Sequence, residues 1–220
     1  MATRSSALPF VPDTTDLGLL AEAAEHCQGC ELHSDATRTV FGQGGPAARI
    51  MLIGEQPGDA EDRAGSPFVG PAGRLLDEVL ADAGIDRSAA YVTNAVKHFR
   101  WKSTDTGRRR IHQSPTRGQI VACSPWLVSE LAAVDPQVVV ALGASAGKAL
   151  FGADFTISAH RGAPLSWPPA SGPFAVDRGA RQAVATIHPS AVLRARDAGE
   201  RATARDGLVA DLRQAAGLLG

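Results

Sequence analysis

Four short apolar runs, each closed by glycine, proline or a polar turn, constrain this chain more than any other feature: "RIMLIG" (49–54), "AYVTNAV" (90–96), "QVVVALG" (137–143) and "AVATIHP" (183–189). Their length and β-branched content mark them as strands buried on both faces. Between them lie segments of helical character, "PAGRLLDEVLADAG" (71–84), "SPTRGQIVACSPWLVSELAAV" (114–134) and "SAGKALFG" (145–152). Pro71 at a first helical turn and Gly84 just past the last are the start and stop signals expected of a helix. Strands alternating with helices predict an α/β fold, a three-layer α/β/α arrangement around a central, mostly parallel sheet of four strands. The stretch 158–181, rich in proline, glycine and serine, reads as a hairpin or irregular excursion before the last strand.

A chain of 220 residues with 44% hydrophobic content can bury one substantial core, and a single domain over 1–220 is expected. The first twenty residues hold no apolar run of signal-peptide length, and no segment approaches the roughly 18 apolar residues of a membrane span. A cytoplasmic protein with no membrane partner follows as an expectation. The first 45 residues carry a short helix ending in "CQGC" and then a turn, "FGQGG". Of three cysteines, Cys27 and Cys30 form that pair, which suits a metal or cluster site better than a disulfide framework.

The formal net charge of -1 conceals a focused basic segment. Between Lys97 and Arg117 stand Lys97, Arg100, Lys102, Arg108, Arg109, Arg110 and Arg117 against one acid, Asp105. Such a stretch on a near-neutral body fits an anionic polymer such as nucleic acid, and equally a solvated surface loop. Its end, "GRRRIHQSP" (107–115), sets a single histidine, His112, directly after three arginines.

Open parallel sheets bind ligands beyond the carboxyl ends of their strands. There the first run delivers "GEQPGDAED" with Glu55, the second delivers Asn94, and the last delivers "HPS" with His188. One cleft would hold a carboxylate, an amide and an imidazole. Singly each is weak, since an asparagine at a strand end commonly serves as a cap or turn residue.

"GEQPGDAEDRAGSPFVGPAGRLLDEVL", followed by "VTNAVK" and "HPSAVLRA", resembles the iron-sulfur, family-four branch of the uracil-DNA glycosylases, from about Cys27 to Leu212. The resemblance implies base flipping into a pocket, with Phe68 stacking on uracil, Asn94 reading its edge and Gly54, Gln56 and Asp59 completing the substrate site. It implies that His188 stabilises the departing uracil anion, that Glu55 faces the cationic sugar, and that Arg108, Arg109, Arg110 and Ser190 contact DNA. It also implies a [4Fe-4S] cluster. That branch uses four cysteines; here Cys27, Cys30 and Cys123 remain and His98 follows "NAVK", so Cys27, Cys30, His98 and Cys123 are the expected ligands, with a structural zinc site as the alternative.

Gln56 in place of a small residue, His98 in place of a cysteine, and the loop with "RRRIH" together resemble the UdgX subgroup. That resemblance implies covalent capture: His112 attacks C1′ once uracil leaves, with Glu55 as the base that takes the imidazole proton, and turnover stops. An ordinary hydrolytic glycosylase and a non-catalytic, metal-stabilised nucleic-acid-binding module are the competing readings. The expected partner is uracil-containing DNA, single strands included, bound by a monomer.

Overall fold

The computed structural model describes residues 5–104, 109–169, 174 and 181–219. In chain order its elements are α1 (Leu17–Glu25), β1 (Ile50–Gly54), α2 (Asp59–Ala64), α3 (Pro71–Asp82), β2 (Ala90–Asn94), β3 (Trp101–Ser103), β4 (Arg110–His112), α4 (Arg117–Val134), β5 (Val138–Leu142), α5 (Ala144–Phe151), α6 (Ile157–His160), β6 (Pro164–Trp167), β7 (Arg181–Thr186), α7 (Pro189–Leu193) and α8 (Ala198–Gly217). The main sheet runs β2-β1-β5-β7-β6. The four strands read from the sequence are parallel to one another.

The sheet has five strands rather than four, because the proline-rich excursion contributes β6, antiparallel on the outside of β7. Pro164 opens β6, and an edge strand is where a residue without an N–H fits a ladder.

Alternation along the strands sends Ile50, Leu52, Val138, Val140 and Val184 to one face, where α3 and α8 cover them with Leu75, Leu76, Val79, Leu80, Leu208 and Leu212. Met51, Ile53, Val139, Ala141 and Ala185 face the other way, against Leu127 and Leu131 of α4 and Ala146 and Leu150 of α5. The result is the three-layer α/β/α architecture, with burial of each such aliphatic side chain worth roughly 1.5–3 kcal/mol.

A third apolar group joins the N-terminal segment to α4: Leu20, Ala24, Leu32 and Phe41 pack with Ala122 and Trp126. Pro125 sits inside α4 and cannot donate to the Val121 carbonyl; the Ser124 hydroxyl donates to it at 2.8 Å. Among the described residues, no helix is long and apolar enough to cross a membrane.

Candidate active site

The parallel register sets Gly54 beside Asn94 at the carboxyl edge of the sheet. A side chain at Gly54 would collide with the Asn94 Oδ1 and crowd the Phe68 ring, so glycine there lets amide and ring close over the strand end. Phe68 has φ 56°, a left-handed backbone that an aromatic residue rarely adopts. Two contacts hold it. A Cβ at Gly73, in the first turn of α3, would run into the Phe68 carbonyl, so the helix packs directly on that peptide. The Glu61 carboxylate accepts from the N–H groups of Gly58 at 3.0 Å and Gly70 at 2.7 Å, bracketing the loop at both ends.

His188 follows β7 and caps α7, and its ring stacks on Phe68 with centroids 6.0 Å apart and 29° between planes. The Ser190 N–H donates to His188 Nδ1 at 3.1 Å, so Nδ1 is an acceptor and the ring proton is assigned to Nε2. Burial, then the charges of Arg194 and His112, push the His188 pKa down to about 4. The ring is therefore neutral at physiological pH and presents an N–H donor. Ser190, expected at DNA, has its hydroxyl 2.8 Å from that same Nδ1 and accepts from Arg194 at 2.9 Å.

His112 lies 3.6 Å from Glu55, Nε2 to Oε1, too far for a hydrogen bond and close enough for a small shift to make one. Glu55 Oε1 is buried with no hydrogen-bond partner among the described residues. The His112 side chain is 50% exposed, with its ring 6.0 Å from that of Phe99.

What holds His112 there is a hairpin. Within the basic segment, residues 101–103 and 110–112 form a two-stranded antiparallel ribbon, pairing Trp101 with His112, Lys102 with Ile111 and Ser103 with Arg110. Gln56 clamps its neck: Nε2 donates to the carbonyls of Arg100 at 3.2 Å and Gln113 at 3.1 Å, while Oε1 accepts the Arg100 N–H at 3.1 Å. Both amide donors are thus taken by hairpin backbone, so the Gln56 side chain lies against the ribbon. Asp59 is likewise engaged, accepting from Arg63 at 3.0 Å and Arg110 at 2.5 Å. Arg110 also reaches Asp62 at 2.6 Å and lies 5.4 Å over the rings of both Phe99 and Trp101. Arg110, expected at DNA, is thus paired with two carboxylates of α2 and packed on two rings of the protein. Arg109 is exposed, and Arg108 lies outside the described residues.

Sequence reasoning missed Asp62, which is fully buried and also accepts the Thr37 N–H at 2.9 Å. The available signal was its spacing of three from Asp59, which puts both carboxylates on one face of α2.

Cys27, Cys30 and Cys123 are buried, carry free thiols and share one packed group between the N-terminal segment and α4. Burial raises the Cys30 thiol and pushes Cys123 up to about 12. The Cys27 and Cys123 sulfurs accept the N–H groups of Gly29 at 3.4 Å and Lys97 at 3.3 Å. The Thr39 hydroxyl gives its proton to the Ala24 carbonyl at 3.0 Å, so it accepts from His98 Nε2 at 2.9 Å and leaves the lone pair on Nδ1. Burial holds His98 down to about 4, in the neutral form a metal needs. A ring fixed through its second nitrogen is the usual support of a ligating histidine. Among the described residues, no three or more Cys, His, Asp or Glu side chains are drawn together as around a single metal ion.

The family model of the uracil DNA glycosylase superfamily matches residues 41–213, which contain every strand end described above and the whole hairpin. The chain belongs to that superfamily. Relatives span two of its branches. A type-4 uracil-DNA glycosylase of Thermotoga maritima is 35% identical over 179 residues, covering 81% of this chain and 83% of the relative. The type-4 enzyme of Archaeoglobus fulgidus is 36% identical over 173 residues, 76% of this chain and 78% of its own. A type-5 uracil-DNA glycosylase of Thermus thermophilus is 34% identical over 128 residues, 51% and 54% of the two chains. The superfamily's α/β fold agrees with the five-stranded sheet.

Proposed function

We propose that this protein is a uracil-DNA glycosylase that flips uracil out of DNA, excises it, and becomes linked through His112 to C1′ of the abasic sugar. The observation that carries the reading is the 3.6 Å approach of His112 Nε2 to Glu55 Oε1, at the sheet edge where Phe68 meets Asn94 and stacks on His188. Phe68 stacks on the base and Asn94 pairs with its edge. As the C1′–N1 bond breaks, its electron pair leaves with uracil. The Nε2–H of His188 stabilises the anion, and the Glu55 carboxylate faces the cationic sugar. Glu55 takes the proton from His112 Nε2 and the electron pair of that N–H bond forms the bond to C1′, leaving the lone pair on Nδ1 and giving a neutral glycosyl-imidazole without an acidic leaving group. Arg109, and Arg108 beyond the described residues, would meet phosphates, while Gln56, Asp59 and Arg110 hold the ribbon that carries the nucleophile.

The test is to incubate the protein with uracil-containing single-stranded DNA and run a denaturing gel. A band that survives heat and detergent supports capture; free uracil over repeated cycles without that band gives the ordinary hydrolase, and neither product overturns the enzyme reading.

Cys27, Cys30, Cys123 and His98 would hold a [4Fe-4S] cluster. The ligands of a four-iron cluster bind different irons, so they need not converge as around one ion. When bound, the cluster supplies a cross-link between the N-terminal segment, the turn at His98 and α4; breaking a glycosidic bond needs no redox step. Purified protein is expected to be brown and to contain iron and acid-labile sulfide in equal amounts, and Cys123→Ala to lose most of its soluble yield, because ligand binding energy is also folding energy. Colourless protein with stoichiometric zinc would assign these residues to zinc instead.

His188→Ala should slow uracil release by about 10²–10³-fold, the usual loss for one preorganised donor to a developing anion. With a folded pKa near 4, His188 adds no pH dependence to the rate between about pH 5 and 8. The depressed value also makes the unfolded chain the better proton binder below its ordinary pKa of about 6.5, so His188 withdraws stability as pH falls from there towards 4. Melting temperatures at neutral and acidic pH check this: the wild type should lose more on acidification than His188→Ala.

A further inference from the structure

Behind the base-reading amide lies an ion pair that this chemistry does not use. Lys97, 1% exposed, folds back under the turn that leaves β2, and its Nζ donates to Glu130 Oε2 at 2.5 Å, Thr93 Oγ1 at 2.7 Å and the Asn94 carbonyl at 2.8 Å. All three ammonium protons are used. Glu130, fully buried on α4, accepts at its other oxygen from the Gly42 N–H at 3.0 Å, the Tyr91 hydroxyl at 3.0 Å and the Thr93 hydroxyl at 2.8 Å.

Desolvating two charges is costly, and an apolar pair of the same volume is often as stable or more so. Fold stability is therefore a poor reason for this pair, and its placement suggests another. The turn beginning at Asn94 is tied on one side to the strand that carries the acid, through Ala95 N–H to the Gly54 carbonyl at 2.9 Å and Val96 N–H to the Glu55 carbonyl at 3.1 Å. On its other side α4 holds it through the Lys97 N–H to Cys123 Sγ and the Lys97 ammonium to Glu130, and the N-terminal segment holds it through the Val40 N–H to the Lys97 carbonyl at 2.8 Å. Among the described residues, Lys97 is the one side chain that donates to the Asn94 carbonyl, and the carbonyl sets the plane from which the Asn94 amide projects over Gly54.

Resting on the uracil reading above, we infer that Lys97 and Glu130 are positioning residues that hold Asn94 at the angle and depth needed to grip the uracil edge as the bond breaks. Neither touches substrate. The two act on chemistry through Asn94, not on DNA affinity, which is set by phosphate contacts elsewhere.

The experiment is a cycle of four proteins assayed for single-turnover uracil release per folded molecule, with DNA affinity measured separately: wild type, Lys97→Met/Glu130→Gln, Asn94→Ala, and all three changes together. The paired substitution removes both charges while the new amide can still accept from Gly42, Tyr91 and Thr93. A displacement of about 1 Å at a reacting group costs up to about 10²-fold, so the paired variant should release uracil about 10- to 100-fold more slowly with its DNA affinity within twofold of wild type. In the Asn94→Ala background the pair should cost nothing further, because effects passing through one residue are not additive. A paired variant as fast as wild type, full additivity, or a loss confined to DNA affinity overturns the inference. Should the paired variant fail to fold, Glu130→Gln alone takes its place in the same cycle under the same criteria. A wild type that releases no uracil refutes the functional reading itself, a result distinct from each of these.

Discussion

His112→Gly is expected to abolish the heat-stable adduct completely while leaving uracil release intact. The substitution removes the nucleophile and an exposed side chain, so little folding energy is lost. Phe68, Asn94 and His188 belong to other elements and stay in place. The ribbon also survives, because its anchors are Gln56 at the neck and Arg110 on Asp59 and Asp62, none of which touches the imidazole. The space left beside C1′ is large enough for water, and Glu55 Oε1, buried and without a hydrogen-bond partner among the described residues, can take the proton that water gives up. The variant should then turn over repeatedly, releasing uracil and leaving an abasic site, which a multiple-turnover assay reads directly. Peptide mapping of the wild-type adduct provides the counter-check. A sugar-linked mass on a peptide lacking His112, or undiminished adduct in His112→Gly, would return "RRRIH" to the status of a phosphate-binding ribbon.

The legibility of this molecule differs sharply between its strands and its contacts. β1, β2 and β5 are buried along their whole length and β7 over its last four residues, so each stands in the sequence as a short, mostly apolar run whatever it pairs with. β6 covers one face only, begins at a proline and buries Trp167 alone, and nothing in its composition separates it from the loop around it. α8 escaped notice for a related reason: Leu208, Val209, Leu212 and Ala215 crowd into its second half, and its first half is charged, so no apolar stripe runs its length. Glu55, Asn94 and His188 were readable because a rule of topology sends strand ends to one crevice.

The hairpin partners of Gln56 and Asp59 were not readable, since they lie 44 to 57 residues away in sequence and no spacing encodes such a pairing. The three arginines show where the limit falls. Alternate residues of a strand face opposite sides, so once residues 110–112 are known to form β4, Arg110 shares a face with His112 and Ile111 takes the other. The sequence alone offers three identical charges and no pleat.

Glu55→Gln separates charge from shape at the position where both matter most. The amide fills the same space on the turn after β1, and the backbone carbonyl that accepts from Val96 is untouched, so the fold and DNA affinity should match wild type. Two contributions disappear together. The negative charge facing the oxocarbenium-like sugar is gone, and with it the acceptor for the proton that leaves His112 as its Nε2 bonds to C1′. A positioned acid or base commonly contributes about 10²–10⁴-fold, and capture by Glu55→Gln should slow by that range. The two contributions can be told apart by measuring uracil release and adduct formation on the same reaction. If the charge acts mainly on the sugar, both slow together. If the carboxylate acts mainly as the base for His112, uracil appears ahead of the adduct, and the His112→Gly/Glu55→Gln double variant loses turnover as well, since water then lacks its base. Capture by Glu55→Gln at the wild-type rate would remove Glu55 from the mechanism, and the 3.6 Å approach to His112 would then be a packing contact.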